Sequence, residues 1–358
     1  MHWLEACSKS HPDCCSSTMA GEPPWYPTRL LDVGEHGQKT GGGEKIRLVT
    51  TASERPRGGY TTLSHCWGTS QPLRLLTGTM ASFQQSINLA ALPQTFRDAI
   101  EVTRRIGIRY LWIDSLCIIQ DDDGNTDWLR EAAMMHKVYS RSFCTISATA
   151  SQDCNDGIFR TRTAPVVPED PVPFDTQHIT CDVAESQFWD DNVSNAHINT
   201  RGWVFQERLL SPRTIHFGEQ QVFWECRGLD AAESFPAGWP RDPSYQFKDR
   251  LPNELDAARQ HRGPEWEVFW YSRWGHVVYE YSRTDLTVPS DKLVALGGVA
   301  NTFAAANGDQ YVAGMWRRHL AVEILWLASR DRSGAQVAVR PPQYRAPSWS
   351  WASIDGEV

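Results

Sequence analysis

The feature that most restricts the fold is an amphipathic stretch that runs directly into an apolar one, over residues 92–119. In its first part, LPQTFRDAIEVTRRIG, Phe96, Ala99 and Ile100 recur on one helical face, and Gly107 follows as a stop signal. Its second part, IRYLWIDSLCII, is an almost unbroken run of strand-favouring apolar residues, which is typical of a parallel strand covered on both faces. A helix joined in this way to a buried strand predicts an α/β fold with a parallel sheet.

The segments on either side continue this alternation. IRLVTTA and YTTLSHCW are β-rich runs, DWLREAAMMHKVY has a helical pattern, and FCTISATA is typical of another short buried strand. Farther along, a predicted helix around Val204–Leu210 is followed by RTIHF and QVFWEC, which indicate a β-hairpin with Gly218 in its turn. Residues 264–330 have helical periodicity. We expect a loop-rich lead-in over residues 1–47, an α/β domain over 48–226 and a helical region over 227–358.

Charge and hydropathy exclude two classes of partner. The sequence has 43 acidic against 35 basic side chains, a net charge of −8, so it lacks the basic surface that binds a phosphate backbone. No stretch approaches the roughly 20 apolar residues that cross a bilayer, and the first residues lack the apolar core of a signal peptide. We expect a cytoplasmic protein with neither a nucleic-acid nor a membrane partner.

Cysteine usage predicts free thiols. The nine cysteines are odd in number and scattered, which makes a poor disulfide framework. Near the start, soft metal ligands occur at Cys7, His11, Cys14 and Cys15, but their spacing matches no common zinc finger. We interpret these side chains as loose surface groups and predict no metal site.

Three ordered blocks resemble the heterokaryon incompatibility (HET) domain of filamentous fungi: YTTLSHCWG, the long block from LPQTFRDAIEVTRRIG to FCTISATA, and RGWVFQERLLSPRTIHFGEQQVFWEC. The resemblance extends over roughly residues 57–226, and PTRLLDVG and APSWSWASIDG also resemble segments of such proteins. It implies a role in nonself recognition and regulated cell death. It further implies a parallel-sheet core similar to that of Toll/interleukin receptor (TIR) domains, which is flavodoxin-like, with the β-hairpin and the helical C-terminal region appended to it.

The resemblance to TIR domains implies a substrate, because some TIR domains cleave NAD. In those enzymes the catalytic glutamate lies on a helix after a central strand, and a tryptophan stands four positions before it. Here DWLRE places Trp128 three positions before Glu131, on the helix after RYLWIDSLCII. The resemblance thus assigns Glu131 as the catalytic carboxylate and NAD as the candidate substrate, and it assigns no cofactor.

Asp114 stands out because it lies inside the apolar run, where an ionised carboxylate is costly unless it is hydrogen-bonded or paired. It is either a buried structural carboxylate or a second catalytic group. Ligands of open parallel sheets bind beyond the carboxyl ends of the strands, so we expect a small-molecule cleft there, with Asp114 and Glu131 as its catalytic residues. The predicted substrate-binding residues are Ser64, His65, Cys66, Trp67, Gly68, Cys117, Gln120, Trp128, Arg201 and Trp203.

Two other functional classes stay open. The sequence has no GxGxxG after a strand, no GxxxxGK[ST], no GxSxG and no HExxH, which argues against a standard dinucleotide fold, a P-loop, an α/β-hydrolase and a zincin. One alternative is a small-molecule enzyme of fungal secondary metabolism that uses the same fold, with an aromatic-rich pocket for an apolar substrate. The other is a non-enzymatic signalling module that acts by self-association.

Overall fold

The computed structural model divides the chain into two compact units. The first comprises residues 1–199 and 207–249, and the second comprises residues 200–206 and 250–358. The residues that the structure describes are 1–15, 25–34, 46–68, 73–163, 166, 172–174, 179–181, 185, 187–239, 248, 263–329 and 338–358.

An eight-stranded sheet forms the centre of the first unit. The strands of this unit are β1 (Arg29–Asp32), β2 (Arg47–Thr50), β3 (Tyr60–Ser64), β4 (Tyr110–Trp112), β5 (Cys144–Ser147), β6 (Val172–Phe174), β7 (Ile179–Cys181), β8 (Arg213–Phe217), β9 (Val222–Cys226) and β10 (Asp230–Ala232). The sheet has the order β10-β9-β8-β5-β3-β4-β1-β2, while β6 and β7 form a separate antiparallel pair. Its four central strands, β8, β5, β3 and β4, are parallel, and the strands outside them are antiparallel. The predicted α/β class with a largely parallel sheet is confirmed.

The helices include long connections between strands as well as single turns. They are α1 (His2–Ser10), α2 (Pro12–Cys15), α3 (Thr51–Glu54), α4 (Met80–Gln85), α5 (Gln94–Arg105), α6 (Asp114–Cys117), α7 (Thr126–Ser140), α8 (Gly202–Leu210), α9 (Pro264–Ser282), α10 (Lys292–Asn307) and α11 (Leu320–Glu323). Within the described part of the chain, none of the helices has both the length and the apolar character that a membrane span requires.

The amphipathic stretch forms α5 as predicted. Phe96, Ala99 and Ile100 are at most 1% exposed, and Gly107 takes a φ of +78° just after the helix ends. That φ lies in the left-handed region, which favours glycine. Burying the whole Phe96 side chain contributes about 1.5 to 3 kcal/mol, so packing on the sheet holds this helix in place.

Helices α5 and α7 cover opposite faces of the sheet. Thr61 Oγ1 lies 2.8 Å from Thr103 Oγ1 of α5, whereas the hydroxyl of Tyr60 donates to the carbonyl of Val138 of α7 at 2.7 Å. Neighbouring residues of a strand point to opposite faces, which places the two helices on different sides. The chain passes from β3 to β4 through α5 and then returns through α7 to β5, on the other side of β3. The strand order therefore reverses between β3 and β5.

The apolar run after α5 is a shorter strand than predicted. Only Tyr110–Trp112 pairs in the sheet, and Asp114–Cys117 forms a helical turn instead. The Asp114 carboxylate accepts the backbone N–H of Ser115 at 2.6 Å. Such a local side-chain bond gives the backbone an alternative to the ladder, so the strand ends just before this residue.

The predicted hairpin is present, and it belongs to the main sheet. Strands β8 and β9 pair in antiparallel fashion, with Gly218 N–H donating to the Gln221 carbonyl at 3.1 Å in the turn. Because β8 also pairs with β5 in parallel, the hairpin extends the sheet rather than forming an appendage to it.

The loop-rich character expected for residues 1–47 is wrong for the described part of that segment. Strand β1 lies inside the sheet between β2 and β4, and its Leu30 and Leu31 are fully buried. Four residues are too few for an alternating pattern to stand out in the sequence. Residues 16–24 and 35–45 lie outside the described residues.

The second unit is helical where the periodicity predicted α9 and α10, but not throughout. In QYVAGMW, β11 (Tyr311–Val312) and β12 (Met315–Trp316) form a small antiparallel pair. The turn between them has positive φ at Ala313 (49°) and Gly314 (95°). The core of the second unit is aromatic, with the ring centroid of Trp274 lying 5.2 Å from the ring centroids of Phe303 and Trp316.

Candidate functional site

A buried carboxylate meets the carboxyl end of the first parallel strand. Ser64 is the last residue of β3, and its hydroxyl donates to Oε2 of Glu207 at 2.6 Å. Both residues are buried, at 3% and 8% exposure. Glu207 lies on α8, the helix that leads from β5 towards β8. The bond therefore spans the place where the strand order reverses, which is where ligands of open α/β sheets bind.

A second carboxylate lies beside the next residues of the same strand end. The indole N–H of Trp67 donates to Oδ2 of Asp114 at 2.9 Å, and Nε2 of His65 lies 3.9 Å from Oδ1. The His65 ring also meets the ring of Phe96 edge-on, with centroids 4.9 Å apart. Asp114 lies near the carboxyl end of a central parallel strand, as predicted, but its predicted burial is wrong, since its side chain is 30% exposed. The early end of β4 explains this exposure.

Ser64 and His65 thus engage different carboxylates although they are adjacent. Successive residues of an extended chain point in opposite directions, so the strand end presents one polar group to Glu207 and one to Asp114. Cys66, which follows them, is buried at 3% exposure. Three of the predicted binding residues, Ser64, His65 and Trp67, are therefore gathered around two acidic side chains.

The structure requires a glycine at position 68. It has a φ of +71°, and a Cβ at this position would lie 2.0 Å from a carboxylate oxygen of Asp153. Asp153 comes from the loop after β5, so the loops that follow β3 and β5 approach each other closely here. Only a residue without a side chain fits both the backbone conformation and this approach.

Glu131 is a buried member of an ion-pair network that extends to the exposed side chain of Arg130. It is 1% exposed on α7, and its Oε1 lies 3.1 Å from Nη2 of Arg130 and 3.9 Å from Nη2 of Arg29. Both arginines also pair with Asp127. Trp128, on the same helix, is half-buried. Buried charges that are paired in this way are typical of a network that holds elements together.

The other predicted wall residues of the first unit have mainly backbone partners. Cys117 is buried, which raises the pKa of its thiol to about 12, and its carbonyl accepts from Nε of Arg29 at 2.6 Å. The Gln120 amide donates to the carbonyl of Ile118 at 3.0 Å. A thiol with so high a pKa stays protonated at neutral pH, which disfavours Cys117 as a nucleophile.

Arg201 and Trp203 belong to the second unit, where their described contacts lie. Arg201 forms an isolated β-bridge with Asp285, and the Trp203 indole donates to Oδ2 of Asp291 at 3.3 Å. The same unit holds a cleft of about 510 Å³. Its lining includes residues 281–286, Pro289, Lys292 and residues 355–357.

A largely buried polar cluster at the β8–β9 hairpin was not predicted from the sequence. Glu225 accepts from Nε and Nη2 of Arg208 and lies 3.1 Å from Nε2 of His216 and 3.5 Å from Nζ of Lys248. Nδ1 of His216 lies 3.2 Å from Oγ1 of Thr149. The signal in the sequence is weak: Thr214 and His216 are two positions apart in β8 and so share a face, and Glu225 is the one charged residue of β9.

Electrostatics decide the protonation of this cluster. Burial lowers the pKa of His216 to about 4, although Glu225 opposes this change. Burial alone would raise the pKa of Glu225, but Arg208 and Lys248 hold it well below its usual range. At neutral pH the cluster therefore contains a neutral imidazole and a carboxylate between two cations. It forms a fixed polar wall next to the end of β5.

Comparison with known families finds a match for part of the chain. Residues 60–207 match the family model of the heterokaryon incompatibility protein (HET). This part of the chain is a HET domain. No curated protein and no solved structure matches the chain. The HET match begins at the first residue of β3 and ends at Glu207, so it contains both partners of the Ser64–Glu207 hydrogen bond.

Proposed function

We propose that this HET-domain protein acts in fungal nonself recognition and regulated cell death by cleaving NAD or a related nucleotide. The observation that carries the proposal is the hydrogen bond from Ser64 to Glu207, at the point where the strand order reverses. The order β4-β3-β5-β8 is also the order 2-1-3-4 of the first four strands of a flavodoxin-like sheet. This order supports the relationship to TIR domains that the sequence resemblance implies.

Glu207 fits the role of the catalytic carboxylate better than Glu131 does. Trp203 stands four positions before Glu207, which is the spacing that the TIR resemblance implies, and their helix follows a central parallel strand. Glu131 has the wrong spacing and is already neutralised by Arg29 and Arg130. The spacing in WVFQE is present in the sequence, whereas the position of α8 after the central parallel strand β5 comes from the structure.

The reaction follows from the chemistry of the N-glycosidic bond. When the bond between C1′ of the ribose and the pyridinium nitrogen breaks, its electron pair leaves with neutral nicotinamide, and a cationic ribosyl centre remains. A fixed carboxylate such as Glu207 stabilises that centre far better than bulk water does. Water then adds to C1′ and releases one proton, which gives ADP-ribose. Ser64 orients the carboxylate, and Asp114, held by Trp67, binds ribose hydroxyls.

The test is nicotinamide release from NAD by the purified full-length chain, measured by chromatography. Glu207→Gln keeps the size and hydrogen-bonding capacity of the side chain but removes its charge, so we expect a rate at least about 10²-fold lower. Glu131→Gln is measured in parallel, because Glu131 is the competing candidate for the catalytic carboxylate. Glu219→Gln, which changes an exposed side chain, is the control and should keep the wild-type rate.

Each outcome decides between named alternatives. Equal rates for wild type and Glu207→Gln remove this residue from the mechanism, and a loss confined to Glu131→Gln restores the sequence-based assignment. The assay is repeated over a range of protein concentrations, because self-association is the expected mode of a signalling module. If no nicotinamide is released at any concentration while the chain assembles, the non-enzymatic module is the correct reading.

The cleft of the second unit supports the small-molecule enzyme as a second candidate. Its lining includes Lys292, whose pKa burial lowers to about 8, and the exposed ends of Asp355 and Glu357. These groups suit a polar or charged metabolite rather than the apolar substrate that the sequence predicted. A thermal-shift screen of metabolites on wild type and Lys292→Met tests this candidate, and a shift common to both proteins argues against binding in the cleft.

A further inference from the structure

Four metal-ligating side chains from opposite ends of the first unit meet at one point. They are Cys7, His11, Cys14 and Cys226, and their three sulfur atoms and one imidazole nitrogen all lie within 4.8 Å of one another. The three cysteines are fully buried, which contradicts the expectation that Cys7 and Cys14 are loose surface groups. We propose that these four side chains bind one zinc ion, which fastens the N-terminal helices to strand β9.

Helical spacing brings three of the ligands together. Cys7 lies in α1, His11 follows that helix, and Cys14 lies in α2. The N–H of His11 donates to the Cys7 carbonyl at 3.0 Å, and the N–H of Cys14 donates to the His11 carbonyl at 3.1 Å. Residues four and seven positions apart lie on one face when the chain turns in this way. Cys226, at the end of β9, supplies the fourth ligand.

The donor set suits zinc in particular. Three sulfurs and one imidazole make the Cys₃His set of structural zinc sites, which are tetrahedral and closed to solvent. Thiolates also disfavour magnesium and calcium, which prefer oxygen ligands. The surroundings agree with a structural role, because Leu4, Trp224 and Ala231 enclose the sulfurs in one apolar cluster.

Two arginines compensate the charge that such a centre carries. Three thiolates on a divalent ion leave a net charge of −1. Arg213 is 5% exposed, and its Nε donates to Sγ of Cys7 at 3.2 Å, while its Nη2 donates to Sγ of Cys15 at 3.2 Å. Arg227 donates to the Asp13 carbonyl at 2.6 Å, just before Cys14. A buried guanidinium next to neutral thiols has no opposite charge beside it, which is energetically costly. Thiolates bound to zinc would supply that negative charge.

The histidine is held in place by the chain after Cys226. A Cβ at Gly228 would lie 2.8 to 3.0 Å from ring atoms of His11, so the ring packs directly on the glycine backbone. Nδ1 of His11 lies 3.3 Å from Sγ of Cys226. Groups that orient a metal-bound imidazole are characteristic of metal sites, and these contacts fix the ring in the direction of the sulfurs.

The first measurement is the zinc content of the full-length wild-type chain, determined by inductively coupled plasma mass spectrometry. The second is the visible absorption spectrum after zinc is replaced by cobalt. We expect about one zinc per chain, and the visible absorption of tetrahedral cobalt with thiolate charge transfer. Cys226→Ser should lose the metal. Cys15→Ser, next to the site, and Cys154→Ser, a buried thiol elsewhere, are matched controls that should keep it.

Further variants keep the proposal testable if Cys226→Ser does not fold. Cys226→His still offers a ligand, so it should bind cobalt with a weaker thiolate charge-transfer band. Arg213→Gln should reduce zinc affinity about 10- to 100-fold in competition with a chelator, as loss of an outer-shell group does. A wild-type chain without zinc or cobalt absorption overturns the proposal. So does full zinc content in Cys226→Ser, or a disulfide among the three cysteines found by peptide mapping.

Discussion

The buried imidazole of His216 should make the first unit sensitive to mild acid. Its pKa is lowered from 6.5 in the unfolded chain to about 4 in the folded one, because burial disfavours the charged ring. Between these pH values the unfolded chain binds a proton that the folded chain does not. Stability conferred by the neutral ring is therefore fully present above pH 6.5 and is lost as the pH falls towards 4.

The size of the loss follows from the two pKa values. Each pKa unit corresponds to about 1.4 kcal/mol, so the difference from 6.5 to about 4 gives a loss of about 3 kcal/mol in the free energy of unfolding. The neighbours of the ring act in both directions. Glu225 favours the protonated ring, whereas Arg208 and Lys248 oppose it, and the value of about 4 already includes all three.

Urea unfolding followed by tryptophan fluorescence, at pH values from 7 to 4, measures this loss. Other acidic groups add to the pH dependence, so the decisive quantity is the difference between wild type and His216→Gln, which cannot gain the proton. We expect the variant to lose about 3 kcal/mol less than wild type over this range. His2→Gln, on an exposed histidine, should behave like wild type. An equal loss in wild type and His216→Gln would refute the reasoning.

Two further predictions concern single contacts in the same unit. Asp127→Asn should lower the free energy of unfolding by about 3 to 5 kcal/mol, because it removes the carboxylate that the buried Arg29 contacts most closely and leaves only the more distant Glu131; Glu101→Gln, which breaks an exposed ion pair, should cost less than about 1 kcal/mol in the same denaturation assay. Gly68→Ala should cost at least about 1 to 3 kcal/mol, since its φ is +71° and its Cβ would also clash with Asp153, whereas Gly78→Ala, which has open space and an ordinary φ, should be nearly neutral by thermal melting.

The sequence was sufficient where a pattern is long and local. The face of α5, the helix α7 and the hairpin β8–β9 each follow from at least ten residues of regular periodicity or from a turn signal between two strands. The parallel sheet follows in turn, because helices that connect successive strands require it. The position of Asp114 beyond a strand was also predictable, although its exposure depended on where β4 ends.

Contacts between residues far apart in the sequence could not be predicted in this way. Cys226 is 212 residues beyond Cys14, so the spacing near the N-terminus shows only part of the metal-ligating set. The pairing of Ser64 with Glu207 depends in the same manner on the order of strands in space. The WVFQE segment holds the tryptophan–glutamate spacing, but it supports the proposed role of Glu207 only together with the position of α8 after β5.

The position of β1 has a consequence for synthesis. Leu31 of β1 pairs with Leu111 of β4, which the ribosome adds 80 residues later. At roughly 5 to 20 residues per second, this partner arrives about 4 to 16 seconds after β1 is made. Until then β1 can pair only with β2, and an isolated two-stranded ribbon is marginally stable in water. Strand β1 therefore cannot join the parallel part of the sheet until β4 has been made.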